Sequence, residues 1–190
     1  MSERTIHIPA ESKGAAKGRG RLAGRRTLIV GGGQMDIGEA DTPIGNGRAM
    51  SVLFAREGAS VAVADRDAAS AQATVAMIEG GNAFAITADA TKEADIIRMV
   101  DEAARKMGGL DALVLNVGIG AGGAWLEGTS AESWDKVFAI NLRSHMLTVK
   151  HALPKMPDAS SIVFISSIAG ITAGSRLPAY DASKAGLFGL

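Results

Sequence analysis

The stretch from Ser166 to Lys184, SSIAGITAGSRLPAYDASK, holds three side chains whose types and spacing could move a proton to and from a carbonyl oxygen. Tyr180 and Lys184 are four residues apart, so both lie on one face if the chain is helical from about Pro178. A free tyrosine has a pKa of roughly 10 and is a poor base at neutral pH. A neighbouring ammonium favours the phenolate and makes the hydroxyl usable in either direction of proton transfer. Ser167 precedes a glycine-containing loop that can fold back, so its hydroxyl is a candidate to hold a substrate oxygen beside the phenol. Together the three describe a proton-handling site for an alcohol–carbonyl pair. A Tyr–Lys pair at this spacing also occurs on solvated helix edges, so its weight depends on what positions it.

What positions it is a regular alternation. Apolar runs at Thr27–Val30, Val61–Ala64, Ala83–Thr87, Ala112–Leu115 and Ser161–Ile165 read as buried strands, each running into a polar or glycine turn. Between them lie helical patterns: from near Gly45 to a stop at Gly58, over Ala68–Glu79 with Gly80-Gly81-Asn82 as its stop, over Lys92–Met107, and a long helix over Ala131–Leu153 halted at Pro154. Five strands alternating with helices predict an α/β fold, a doubly wound parallel sheet with helices on both faces. Ligands of such sheets sit beyond the carboxyl ends of the strands. Gly31, Asp65, Asp89, Asn116 and Ser167 all fall at those ends.

Composition sets the bounds. The 190 residues carry 47% hydrophobic and 21% charged side chains with a formal net charge of zero, which gives no electrostatic case for nucleic acid or an anionic membrane. There is no cysteine, so disulfides, thiolate metal sites and cysteine nucleophiles are excluded. His7, His145 and His151 lack metal-ligand spacing; the latter two are expected at the surface or at a subunit contact. No apolar run reaches the ~18 residues of a membrane span. Residues 1–21, with Lys13, Lys17, Arg19 and Arg21 among small residues, read as a flexible, solvated basic leader; residues 22–190 read as one domain of a cytoplasmic protein.

Gly31-Gly32-Gly33 together with Gly45-Asn46-Gly47 form a split glycine-rich loop between the first strand and first helix. Glycine there admits positive φ and close backbone approach to a pyrophosphate, while the helix N-terminus offers free N–H groups. Asp65, ending the second strand, is placed to accept from an adenosine ribose 2′-OH and to repel a 2′-phosphate, which favours NAD over NADP. A turn or cap role for Asp65 stands beside this, and Arg66 and Arg48 keep NADP open.

LAGRRTLIVGGG, IGNGRAMSVLFAREGASVAVADRD, ADAT, LNVGI, INL, ISSIAG and YDASK occur in an order that resembles the short-chain dehydrogenase/reductase family over about residues 22–190. The resemblance implies that Tyr180 is the general acid/base and Ser167, thirteen residues before it, the partner of the substrate oxygen. It implies that Lys184 binds nicotinamide ribose hydroxyls and that Asn141 holds a water relaying protons to Lys184, although an ordinary polar helix position would also suit Asn141. It places Asp89 and Ala90 against adenine and Asn116 and Gly118 along the cofactor's path. A homodimer or homotetramer is the inherited expectation.

Three features depart from the family pattern. QMDIGEADTP lengthens the glycine loop and is expected to form a flap near the pyrophosphate; Val30 stands in place of the usual Thr. LNVG replaces NNAG, with Leu115 at the first Asn position. The chain stops at Leu190 inside the Tyr–Lys helix, so the last strands and a substrate-covering loop are expected to be missing, leaving an exposed apolar edge. The expected function is an NAD(H)-dependent oxidoreductase interconverting a secondary alcohol and a ketone. A nucleotide-binding fragment or regulator without catalysis, and a lyase or epimerase with retained NAD, are the alternatives.

Overall fold

The computed structural model describes residues 16–35, 43–80, 82–172 and 174–190. Five strands, β1 (Arg26–Val30), β2 (Ser60–Asp65), β3 (Ala83–Thr87), β4 (Ala112–Leu115) and β5 (Ser161–Phe164), form one parallel sheet in the order β3-β2-β1-β4-β5. The chain builds outward from β1 to β3, then crosses back to place β4 on the other side of β1. That reversal is the switch point where open α/β sheets bind ligands.

The helices are α1 (Asn46–Arg56), α2 (Ala68–Ala76), α3 (Glu93–Met107), α4 (Ala131–Phe138), α5 (Ser144–Ala152) and α6 (Pro178–Gly186). Strand side chains alternate between two cores, as the pleat demands. Leu28, Val30, Ala62, Leu113 and Leu115 pack with Ile96, Met99, Val100 and Ala103 of α3 and with Leu147 of α5. Ile29, Val61, Val63 and Val114 pack on the opposite face with Ala71 of α2 and with Met50 and Phe54 of α1. Full burial of a Leu or Ile contributes roughly 1.5–3 kcal/mol over leaving it in water, and Leu28, Ile29 and Leu113 have no exposed surface.

Local signals explain the ends. Asp67 caps α2 by accepting from Ala69 N and Ser70 N at 2.9 and 3.1 Å. Gly108 ends α3 in left-handed backbone, φ 76°. Arg26 ties the start of β1 to the α3–β4 turn, because Asp111 accepts from its backbone N–H, Nε and one terminal nitrogen at 2.7–2.9 Å.

Four expectations are corrected. Helix α2 stops at Ala76, not Glu79: Met77 N and Ile78 N turn back to Thr74 O and Val75 O in tighter bonds, which packs Ile78 against the core. The long helix over 131–153 is interrupted by a π-helical turn, Ala139–Arg143, between α4 and α5. The basic segment is not simply solvated at its end, since Glu57 accepts from Arg19 N and Arg21 N at 3.0 and 3.1 Å and pairs with the Arg21 guanidinium at 2.9 Å. These bonds hold the Glu57 carboxyl at about 2. His145 is buried, 1% exposed, rather than at the surface. His151 bonds Glu93 at 2.8 Å. Residues 1–15, His7 among them, Gly81 and most of the expected flap, 36–42, lie outside the described residues.

β5 is an edge strand among the described residues, and Val163 on it is 45% exposed. Phe188 and Leu190 are also exposed. No described helix is long and apolar enough to cross a membrane.

Candidate active site

A cleft of about 430 Å³ opens beyond the carboxyl ends of the strands. Gly31 and Gly33 line it after β1, and Gly45, Asn46 and Gly47 at the start of α1. Asp65 and Arg66 follow after β2, Asp89 and Ala90 after β3, and Asn116 and Gly118 after β4. The volume lies within the ~300–1,000 Å³ typical of small-molecule sites.

The glycines differ in what they do. The N–H groups of Gly31 and Gly32 both donate to Ala64 O, at 2.8 and 3.0 Å, and Gly33 N–H donates to Asp65 Oδ2 at 2.9 Å. None of these three is left for a phosphate. Helix α1, in contrast, has no side-chain cap and no acidic residue in its first turn. Its first N–H groups and positive dipole end are the natural anion donors of the cleft. Gly31 has φ 83°, which a side chain rarely adopts. Gly47 is required by contact: a Cβ there would overlap the Gly31 carbonyl oxygen and lie 2.8 Å from Asn116 Nδ2. That amide donates to Gly31 O at 2.8 Å and ties the tips of β1 and β4 together across the switch point.

Asp65 is half-buried at the rim. Its two oxygens accept from Gly33 N and Asp67 N, which leaves a lone pair on each for a further donor. Arg66 beside it is exposed and lines the cleft. Arg48 does not reach the cleft; its guanidinium donates to Thr74 Oγ1 at 3.0 Å and Ser70 O at 3.4 Å on α2. Any pairing with a 2′-phosphate in this cleft therefore falls to Arg66. Asp89 accepts from Thr91 N and Thr91 Oγ1 at 3.0 and 2.7 Å, and these bonds, with Lys92 nearby, hold its carboxyl below the usual range.

At the other end Lys184 is 3% exposed, and its Nζ donates to Ile165 O at 2.7 Å. Burial lowers its pKa from the ordinary lysine value. The same Nζ lies 5.9 Å from the centre of the Tyr180 ring, and a Cβ on Gly118 would come within 3.0 Å of it. Gly118 thus lies between the cleft and the Tyr180–Lys184 pair. Asn141, fully buried in the π-helical turn, accepts from Ile119 N at 2.8 Å and donates to Ile119 O and Ser183 Oγ at 3.0 Å each. Both amide protons are committed; one lone pair of its oxygen is not. Widened helical turns recur at functional sites, and this one aims a helix side chain at the loop after β4.

Ser167 caps the short turn Ile168–Gly170, its Oγ accepting from Ala169 N at 3.2 Å. Among the described residues no hydrogen bond joins Ser167 to Tyr180. The two segments are joined one residue earlier, where Ser166 Oγ donates to Lys184 O at 2.9 Å.

Two side chains escaped the sequence reading. Gln34 donates from Nε2 to Pro43 O at 2.8 Å and accepts Gly45 N–H at 2.6 Å, clipping the two ends of the lengthened loop together. Nothing in its spacing marks it. Ser183, the acceptor for Asn141, sits next to Lys184 and could have been sought there.

A family model described as short chain dehydrogenase matches residues 42–190. The chain is 34% identical over 174 residues to a 2-(S)-hydroxypropyl-CoM dehydrogenase of Xanthobacter autotrophicus, covering 90% of this chain and 64% of that protein. It is 35% identical over 149 residues to a cis-4-hydroxycyclohexanecarboxylate dehydrogenase of Sinomonas cyclohexanicum, covering 77% of this chain and 60% of that protein. A crystal structure of a dehydrogenase/reductase from Sinorhizobium meliloti superposes with a TM-score of 0.79 at 35% identity, over 88% of this chain and 64% of that one. The chain spans about three fifths of the length of the curated relatives it matches.

Proposed function

This chain belongs to the short-chain dehydrogenase family, and from that premise we propose that it is the dinucleotide-binding and proton-transfer part of an NAD(H)-dependent oxidoreductase that interconverts a secondary alcohol and a ketone. The observation that carries the reading is the buried Lys184, held on Ile165 O beside Gly118 and the Tyr180 ring, at the end of a cleft lined by a glycine turn and an uncapped helix N-terminus. Two relatives are named for hydroxy compounds, in keeping with alcohol chemistry.

The residues present fit a dinucleotide. The α1 N-terminus would take the pyrophosphate, with the β1 glycines giving clearance rather than donors. Asp65, with a free lone pair on each oxygen, would take the ribose hydroxyls, and its charge favours NAD; Arg66 is what a 2′-phosphate would have to use. Asp89 and Ala90 would face the adenine, Asn116 and Gly118 the path to the nicotinamide. A bound nicotinamide supplies or accepts the hydride.

Tyr180 gives its proton to the substrate oxygen in reduction and takes it back in oxidation. Lys184 uses one N–H on Ile165 O and keeps two, enough for a ribose hydroxyl and a water. Asn141 fixes the loop at Ile119, and its spare lone pair is the place to hold that water. Ser167 accepts from Ala169 N and retains its own proton to hold a substrate oxygen. The same reading carries a cytoplasmic homo-oligomer acting on a small molecule.

Tyr180 is the only tyrosine of the chain, so Tyr180→Phe removes one defined group. In an NADH fluorescence titration with a panel of alcohols and ketones, the variant should keep cofactor binding and lose turnover. Turnover retained by the variant would remove Tyr180 from its role.

A further inference from the structure

The loops leaving β4 and β5 meet again beyond the proton-transfer end, and the meeting carries both strain and an unneutralised charge. Trp125 and Arg176 hold left-handed backbone, φ 66° and 65°. Residues other than glycine adopt this conformation at a cost, and such outliers cluster where a site needs them. Trp125 N–H donates to Arg176 O at 2.9 Å, so each strained residue is held by the other. The Arg176 guanidinium lies over the Trp125 indole, 5.7 Å from its centre.

Its flanks are fixed as well. Ser175 donates to Asp181 on α6 and accepts Leu177 N–H at 3.1 Å, and Leu177 lies against Gly120. Asp181 is thereby engaged by the serine, and among the described residues Arg176 forms no ion pair. On the same two loops Trp125, Leu126, Ile168 and Ile171 are 56%, 72%, 71% and 69% exposed and give those loops an apolar rim.

Both loops lead away from the Tyr180–Lys184 end of the site. The loop that begins at Gly118, against Lys184, runs outward through Gly120 to Trp125, and Arg176 stands four residues before Tyr180. The dinucleotide cleft lies over β1 to β4, whereas Arg176 arrives from β5; neither it nor Trp125 lines that cleft. We propose that Arg176, held over Trp125, binds a carboxylate of the substrate, so that the enzyme acts on a hydroxy or keto acid whose carbon skeleton rests on the apolar rim. The substrate assignment rests on the proton-transfer reading of Tyr180; the anion site does not. A guanidinium presents a planar fork of donors that suits a carboxylate's two oxygens, and stacking on an indole preorganises it.

The chain has two tryptophans, so a Trp134→Phe background leaves Trp125 as the only indole. Its fluorescence is titrated with hexanoate and with hexanamide, without cofactor. A saturable change with hexanoate, weakened by salt and absent with the amide, is expected. Arg176→Gln should weaken it about tenfold or more, as loss of a charge-assisted pair does, while Arg176→Lys keeps part of it. Equal response to acid and amide, or unchanged hexanoate binding by Arg176→Gln, would overturn the proposal. Thermal melts separate a loop staple from an anion site: a staple alone predicts a lowered melting temperature with no discrimination between acid and amide. Where the chain turns over alcohols, Arg176→Gln should raise KM about ten- to a hundredfold for a hydroxy acid and leave a neutral alcohol unchanged. Loss on both alike contradicts it. Carboxylate binding without any turnover would sink the Tyr180 reading while leaving the anion site standing.

Discussion

Replacing Gly47 by alanine sets two effects of opposite sign against each other. Alanine is the better helix former by about 1 kcal/mol at an interior position, and Gly47 lies in the first turn of α1, so the gain is at most that. Against it stands the new methyl, which would overlap the Gly31 carbonyl oxygen and sit 2.8 Å from Asn116 Nδ2 and 2.9 Å from the Gly31 carbonyl carbon, where ordinary contact begins near 3.4 Å. These neighbours are the backbone of the β1 turn and the amide that clamps it, not the free end of a mobile side chain. The helix must retreat or the clamp must break, and overpacking of this kind costs about 1–3 kcal/mol or more. The clash wins, with a net loss of about 2 kcal/mol and a fall in melting temperature of roughly 4–8 °C for a chain of this size. Gly45→Ala is the control: its φ of −70° suits alanine, and among the described residues the only neighbour within contact is the end of the Gln34 side chain at 3.2 Å. That variant should melt within about 0.5 kcal/mol of the parent. Urea or thermal melts of the two proteins decide it. A Gly47→Ala protein as stable as Gly45→Ala would refute the packing argument.

Three further outcomes are expected. Burial, with Lys184 nearby, pushes His145 down to about 4 from 6.5, so between these values the unfolded chain binds a proton that the folded one refuses. Stability should therefore fall as pH drops from 6.5 toward 4, by up to about 3 kcal/mol, and His145→Leu should flatten that slope in urea titrations; parallel slopes would show the ring is not protected. Asp111→Asn removes the charge that Arg26 grips through three bonds, at a cost of about 1–3 kcal/mol by urea midpoint. Because Asp111 is held below 3.8 in the folded state, its contribution is present above that pH and lost as pH falls through the lowered value, so the two proteins should converge in acid. Asp65→Ser should shift the NADH-to-NADPH affinity ratio at least tenfold toward NADPH, read by fluorescence titration, and an unchanged ratio would place the adenosine ribose elsewhere.

The sheet was legible because each strand is a short apolar run closed by a residue that cannot continue it, as Thr27–Val30 before Gly31 and Ala112–Leu115 before Asn116. The cleft residues were legible for the same reason: a parallel sheet delivers every strand end to one side. The π-helical turn was not, because one widened turn leaves the apolar pattern of a helix intact; its buried polar residues, Asn141, Ser144 and His145, are separated by Leu142 and the exposed Arg143. His145 is buried against the Phe164 ring of β5, a contact that local polarity does not report. Gln34 and the Trp125–Arg176 contact depend on loops that meet in space across 9 and 51 residues, and no periodicity encodes such meetings.

The proposed function requires a dinucleotide across the strand tips with its reactive ring beside Tyr180 and Lys184. A crystal structure of the chain with NADH tests it directly. The pyrophosphate is expected on the N-terminus of α1, the adenosine ribose on Asp65 and the nicotinamide ribose within hydrogen-bond reach of Lys184 Nζ. NADH bound away from the β1–β4 switch point, or with its nicotinamide turned from Tyr180, would contradict it.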